Sequence, residues 1–142
     1  MQRETQMKTN QLTGAALDWA VVKCECDMPA PFKSVPVVLN GTVRVFRGDM
    51  GLHSGPISPS TNWAQGGMII EREWIDVVKP VNSVCWVATM HYQDDDNERI
   101  QTSEEQGLTP LIAAMRCYVA SKMGDEVEIP TELTQGEAVC QT

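Results

Sequence analysis

Thr109-Pro110-Leu111-Ile112-Ala113-Ala114-Met115-Arg116-Cys117-Tyr118-Val119-Ala120-Ser121-Lys122-Met123-Gly124 decides the fold class. Thr109 stands where an N-cap hydroxyl is needed, and Pro110 fills the first helical position, where a missing N–H is no loss. Ile112, Met115, Val119 and Met123 recur at helical spacing, and Leu111 and Tyr118 widen the stripe. Lys122 in the last turn suits the negative end of the helix dipole, and Gly124 supplies the C-terminal stop. A helix this apolar must be covered by a sheet or by a second helix.

Toward the C-terminus, Asp125–Ile129 reads as a short edge strand cut by Pro130, and residues 134–142 as a flexible tail. On the N-terminal side, Ser83–Met90 reads as a strand. Val84, Trp86 and Ala88 alternate with Cys85, Val87 and Thr89, so both faces are mostly apolar and the strand is expected to be central. Trp74–Val78 reads as a second strand, after a turn or short helix over Met68–Glu73. From Gln93 to Gly107, the acids Asp94, Asp95, Asp96, Glu98, Glu104 and Glu105 face Arg99 alone, the pattern of a solvated loop.

The N-terminal half holds a second helix, Leu12–Cys24. Thr13 is its N-cap, Leu12 and Leu17 have the spacing of a hydrophobic staple, and Leu17, Ala20, Val21 and Cys24 share a face. Trp19 lies off that stripe. Pro29, Pro31 and Pro36 then forbid a regular helix. Val37–Leu39 and Thr42–Phe46 flank Asn40-Gly41, the signature of a type I′ hairpin, with Val43 and Val45 on one face. Arg47–Gly67 is rich in glycine and proline and has no period. The expected architecture is α+β: a small antiparallel or mixed sheet packed by two main helices, at about 12–25 and 109–123, with a long Gly/Pro-rich central loop. Residues 7–133 are expected to form one globular domain, after a loosely ordered extension over 1–6.

The totals fit one core, since 142 residues with 42% hydrophobic content match an ordinary domain. Eleven basic residues stand against 19 acidic ones, for a net charge of −8. That argues against gripping duplex DNA through a basic face. It leaves a small phosphorylated ligand open, because one anion needs only a few N–H groups and one cation. Five cysteines, an odd number, point to free thiols in a reducing compartment. No apolar run approaches the ~20 residues of a membrane span, and the polar N-terminus resembles no secretory signal.

Catalytic and metal motifs are weak. Cys24-Glu25-Cys26 has no second pair to complete a zinc site. Asp94, Asp96, Glu98 and Glu105 have calcium-loop spacing, but Arg99 stands where the loop needs glycine. His53 and His91 are the only histidines, and adjacent residues such as His53-Ser54 seldom aim at each other. Gly48-Asp49-Met50-Gly51 lacks the lysine of a phosphate loop. No catalytic residue, metal or cofactor is expected. Chemistry is densest in Ser58–Gly67, with the hydroxyls of Ser58, Ser60 and Thr61, the amides of Asn62 and Gln65, the indole of Trp63 and the Gly66-Gly67 pair. Hydroxyls and free N–H groups can hold phosphate, Trp63 can stack on a base, and Arg72 can supply the cation. The same residues can also build a compact turn that satisfies its own backbone, with Trp63 as its anchor.

Three blocks carry a resemblance. Met7-Lys8-Thr9 with Leu12–Val21 is similar to the opening of the NinX family of bacteriophage proteins. Ser58–Gly67 with Ile69-Ile70-Glu71-Arg72-Glu73 resembles its central motif, and Thr109–Ala120 followed by Gly124–Val127 resembles its C-terminal helix. Met68 departs from the pattern, which has proline after Gly-Gly. The resemblance implies a tailed-phage accessory protein, encoded near recombination functions and acting in the cytoplasm of the infected bacterial host. It implies no established activity. A binding module is therefore expected rather than an enzyme, with two readings. In the first, Ser58, Ser60, Thr61, Asn62, Trp63, Gln65, Gly66, Gly67 and Arg72 capture a nucleotide-like host immune signal as a counter-defence. In the second, the acidic surface, led by Asp94–Glu105, docks on a host or phage protein as a DNA mimic, an inhibitor or a recombination accessory factor. The partner is accordingly a small phosphorylated ligand or a host protein, and a homo-oligomer is open.

Overall fold

The computed structural model describes residues 3–26, 34–47, 51–52, 55–93 and 99–134. Along the chain run β1 (Glu4–Lys8), α1 (Gly14–Cys26), the strands β2 (Ser34–Leu39), β3 (Thr42–Arg47) and β4 (Gly51–Leu52), then α2 (Trp63–Glu73). They are followed by β5 (Asp76–Val78), β6 (Trp86–Gln93), β7 (Ile100–Gly107), α3 (Pro110–Met123) and β8 (Glu126–Pro130). Three small sheets, β1-β8, β2-β3-β4 and β5-β6-β7, have antiparallel pairings throughout. The fold is α+β.

α3 follows its sequence signals closely. The Thr109 hydroxyl accepts the Ile112 N–H at 3.1 Å, Pro110 opens the helix, and Gly124, at φ +85, donates its N–H to the Ala120 carbonyl at 2.9 Å. Its burial is wider than the expected stripe: every residue from Ala113 to Val119 is buried, while Ile112 is only half-buried. α3 lies across β6 and β7 and packs against α1 and α2, so it has little solvent face left. Alanines at 16, 20, 113 and 114 are all buried, and α1 and α3 pack against each other. Leu12, Leu17, Val21, Met115, Val119 and Ile129 fill the core. Trp19 joins them, buried.

Arg116 is fully buried on α3, against the usual rule for arginine. Its Nε donates to the Leu12 carbonyl at 2.8 Å and its Nη1 to the Gln106 carbonyl at 2.7 Å. Burial pulls its pKa below the ordinary arginine value, and the nearby Glu105 carboxylate opposes that. The side chain thereby ties the entry to α1 and the end of β7 to the central helix.

The Asn40-Gly41 hairpin forms as expected, with φ of +52 and +74 at the two turn residues and Leu39 paired with Thr42. Val43 is buried and Val45 half-buried.

Several expectations change. The central stretch is not irregular through Gly67, because α2 begins at Trp63 and runs through both glycines. Ile100–Gly107, expected in a solvated loop, is strand β7, with Met90 opposite Ser103. Its polar side chains sit on a sheet edge, where water can reach them. Ser103 turns inward, donating its hydroxyl to the Cys117 carbonyl at 2.9 Å. Glu4–Lys8, partly inside the stretch expected to be loosely ordered, pairs with β8 over five positions from Glu4↔Pro130 to Lys8↔Glu126. Residues 94–98, the core of the acidic stretch, lie outside the described residues, as do His53, Ser54 and residues 135–142. Cys24, Cys26 and Cys117 form no disulfide, whereas Cys85 is disulfide-bonded, which corrects the expectation that all five cysteines are free thiols.

Candidate functional site

The Ser58–Asn62 segment is a tight turn that launches α2. The Ser58 carbonyl accepts the N–H groups of Thr61 at 3.1 Å and Asn62 at 2.8 Å. Asn62 is the N-cap, its Oδ1 accepting from Ala64 N–H at 2.9 Å and Gln65 N–H at 3.4 Å. Gln65 reaches back, accepting the Ser58 N–H on Oε1 at 2.6 Å and donating Nε2 to the Pro56 carbonyl at 3.4 Å. Helix start and preceding turn thus satisfy each other reciprocally. Ser60 is buried at the base, where its N–H donates to Asp18 Oδ1 at 2.8 Å. Burial pushes the Asp18 carboxyl up to about 6, against the opposing hydrogen bonds from Ser60.

The two glycines do different work. A Cβ on Gly66 would sit 2.3 Å from the Pro59 carbonyl oxygen and 2.7 Å from Leu111 Cδ2, so glycine is what lets α2 seat against the turn and α3. A Cβ on Gly67 would meet only the Trp63 ring, at 3.7 Å. Trp63 itself is 58% exposed and does not anchor the turn.

Arg72 stands apart from the rest of the sequence-predicted set. It lies nine residues beyond Trp63 on the same helix, roughly 13 Å along the axis. Its guanidinium pairs with Glu25 at 2.9 and 2.8 Å and with Glu73 at 2.9 Å. Tyr118 donates its hydroxyl to the same Glu25 carboxylate at 2.5 Å, and Arg72 sits 5.7 Å from the Tyr118 ring centroid. Burial would raise the Glu25 pKa, but the hydrogen bonds from Arg72 and Tyr118 outweigh it and hold the carboxyl below its ordinary value. The result is a clasp joining α1, α2 and α3. Ser58–Gly67 therefore comes together as a unit, and Arg72 belongs to a different one.

A second arrangement runs along α2 on its outward side. Trp63, Gly67 and Ile70 fall at i, i+4 and i+7 on one helical stripe, with Ile70 half-buried, and Trp74 follows at the end of the helix. Trp74 occupies the C-terminal cap in left-handed conformation, φ +56 and ψ +51, and is 85% exposed. Its N–H bonds the Glu71 carbonyl at 3.4 Å, while the Ile75 N–H bonds the Ile70 carbonyl at 3.0 Å. This is a Schellman-type ending, with tryptophan where glycine is the usual choice. A bulky side chain there is unfavourable locally and gains nothing from burial. Beside it opens a groove of about 610 Å³ lined by Ile70, Glu71, Glu73, Trp74, Ile75, Asp76 and His91. His91 is held on β6 by a 3.1 Å hydrogen bond between Nδ1 and the Thr102 hydroxyl. Met68, 70% exposed, adds a further apolar side chain to the solvent side of the helix.

The family model for bacteriophage P22 NinX matches residues 8–122. The chain belongs to the NinX family. No curated protein matches it. The span shared with NinX takes in α1, the Ser58–Asn62 turn, α2 and every residue lining the Trp74 groove. Most of β1 and all of β8 fall outside it.

Sequence reading found Trp63 and Gly67 on α2 but missed Ile70, Trp74, Ile75 and His91, which line the groove. The signal was present: two tryptophans three helical turns apart, with glycine and isoleucine between them. It was hidden because Gly66-Gly67 reads as loop and Trp74 as the start of a strand. A second groove, of about 740 Å³, is polar and is lined by Lys8, Asn10, Glu105, Met123, Asp125 and Glu126. Glu104, exposed, and Glu105, half-buried, are the described members of the expected acidic surface. Among the described residues no group of three or more His, Cys, Asp or Glu side chains is arranged to hold a metal, and no helix is long and apolar enough to cross a membrane.

Proposed function

We propose that this phage accessory protein is a non-enzymatic protein-interaction module that docks a host or phage protein on the outward side of α2. One observation supports the reading above all: Trp63, which opens α2, and Trp74, which caps its end, are 58% and 85% exposed. Exposed tryptophans, one of them lining a groove, are the composition of interface anchors rather than of ordinary surface. The backbone N–H groups of Ser58 and Ser60 and the side-chain amides of Asn62 and Gln65 already serve the turn and the helix cap, and Arg72 serves Glu25 and Glu73. Capture of a nucleotide-like immune signal by Ser58–Gly67 has the exposed Trp63 ring in its favour, but the phosphate would find few uncommitted donors.

Native mass spectrometry of the protein purified from phage-infected cells tests this. The expected result is a stoichiometric protein partner that is lost from a Trp63→Ala/Trp74→Gly variant of unchanged melting temperature. A co-purifying nucleotide in place of a protein, or a partner retained by that variant, overturns the reading.

A further inference from the structure

We infer that the groove at the C-terminal end of α2 receives a basic side chain, arginine or lysine, from that protein partner. The inference rests on α2 being a docking helix and adds the chemistry of what it docks. The groove pairs an apolar floor, Ile70 and Ile75, with a free indole and with the carboxylates of Glu71, Glu73 and Asp76. Glu73 is already engaged by Arg72. Glu71 and Asp76 are exposed, and no cation among the described residues pairs with either.

An aliphatic stem ending in a positive charge matches all of this. The stem lies on isoleucine, the cation meets the Trp74 face, and the carboxylates complete its shell. The negative end of the α2 dipole lies at the same place and favours the same sign of charge. An acidic or neutral polar segment would leave Glu71 and Asp76 uncompensated. A second copy of this chain is a poor occupant, since two bodies of net charge −8 repel. A basic partner is steered toward the same surface by that charge.

The experiment is an NMR titration of the ¹⁵N-labelled full chain at low salt with two capped peptides, Leu-Arg-Leu-Arg-Leu and Leu-Gln-Leu-Gln-Leu. The arginine peptide is expected to shift the amides of Ile70–Asp76 and His91, to bind about tenfold more tightly than the glutamine peptide, and to weaken as salt rises. Trp74→Gly and Asp76→Asn should each weaken it several-fold with no loss of melting temperature. Glycine suits the left-handed cap, so the first variant should fold at least as well. Equal binding of both peptides at these residues overturns the basic partner while leaving α2 a docking helix. Absence of shifts at these residues with either peptide overturns the groove as the site. The docking helix then stands or falls separately, on whether the Trp63→Ala/Trp74→Gly variant keeps its partner in native mass spectrometry.

Discussion

Asp18 on α1 accepts the backbone N–H of Ser60 at 2.8 Å, and both residues are almost wholly buried. The turn that starts α2 is thereby fastened to α1 by a carboxyl whose pKa lies at about 6 rather than 3.8. In the folded chain this group holds its proton where the unfolded chain has lost it. Its stabilising effect is complete below about pH 4 and disappears as pH rises through 6, a loss of up to roughly 3 kcal/mol. Asp18→Asn keeps the acceptor and removes the titration. Chemical denaturation of both proteins should show the variant gaining on wild type between pH 4 and 7, with a constant difference above that. A difference independent of pH would contradict the assignment.

Glu25 has the opposite sign. Its carboxyl is held low by Arg72 and Tyr118, so its contribution is present above the ordinary glutamate range and fades as pH falls through the depressed value. Glu25→Gln should lower stability at pH 7 by roughly 1 kcal/mol, a modest amount because the pair is partly exposed. It should also flatten the acid limb of the stability profile, where Asp18→Asn does not.

Gly66 and Gly67 are adjacent in one helix, yet alanine should act on them in opposite directions. At Gly66 the added methyl meets the Pro59 backbone, and the helix start must move. A loss on the order of 1–3 kcal/mol is expected from overpacking. At Gly67 the space is open to ordinary contact, and alanine should stabilise by about 0.5–1 kcal/mol through helix propensity. Thermal melts of the two variants give the answer directly.

Met115→Ala should cost about 2–5 kcal/mol, because Met115 is fully buried at the centre of α3. Trp63→Ala removes a larger side chain and should still cost no more than about 1 kcal/mol, since more than half of that side chain already faces water. A severe loss in the tryptophan variant would mean that the ring is core and the docking surface misassigned.

Where local signals were sufficient, the sequence was legible: Thr109 and Gly124 bracket α3, and Asn40-Gly41 closes its hairpin as read. The errors share a cause, which is that tertiary packing overrode local preference. Gly66-Gly67 breaks a helix in isolation, but here Asn62 caps α2 and Gly66 is the one residue small enough to pass Pro59. β7 is polar along its length and forms because β6 offers a ladder and α3 covers it. For the candidate site, residue type was a partial guide. It singled out Ser58–Gly67 because polar groups cluster there, but the amides of Asn62 and Gln65 and the N–H groups of Ser58 and Ser60 are occupied in building the helix start. It passed over Trp74, whose exposure follows from a helix ending that sequence spacing does not reveal.

The pairing of β1 with β8 bears on how the chain is made. Thr9 donates its hydroxyl to the carbonyl of Gly124, 115 positions later, and its N–H to the carbonyl of Asp125. At about 5–20 residues per second, the ribosome needs roughly ten seconds to deliver those partners after Thr9 is made. Through that interval Glu4–Lys8 has no strand to join, and the Leu12 carbonyl waits for Arg116. Synthesis halted short of Asp125 therefore leaves the N-terminal segment unlatched, a natural point of attack for proteases.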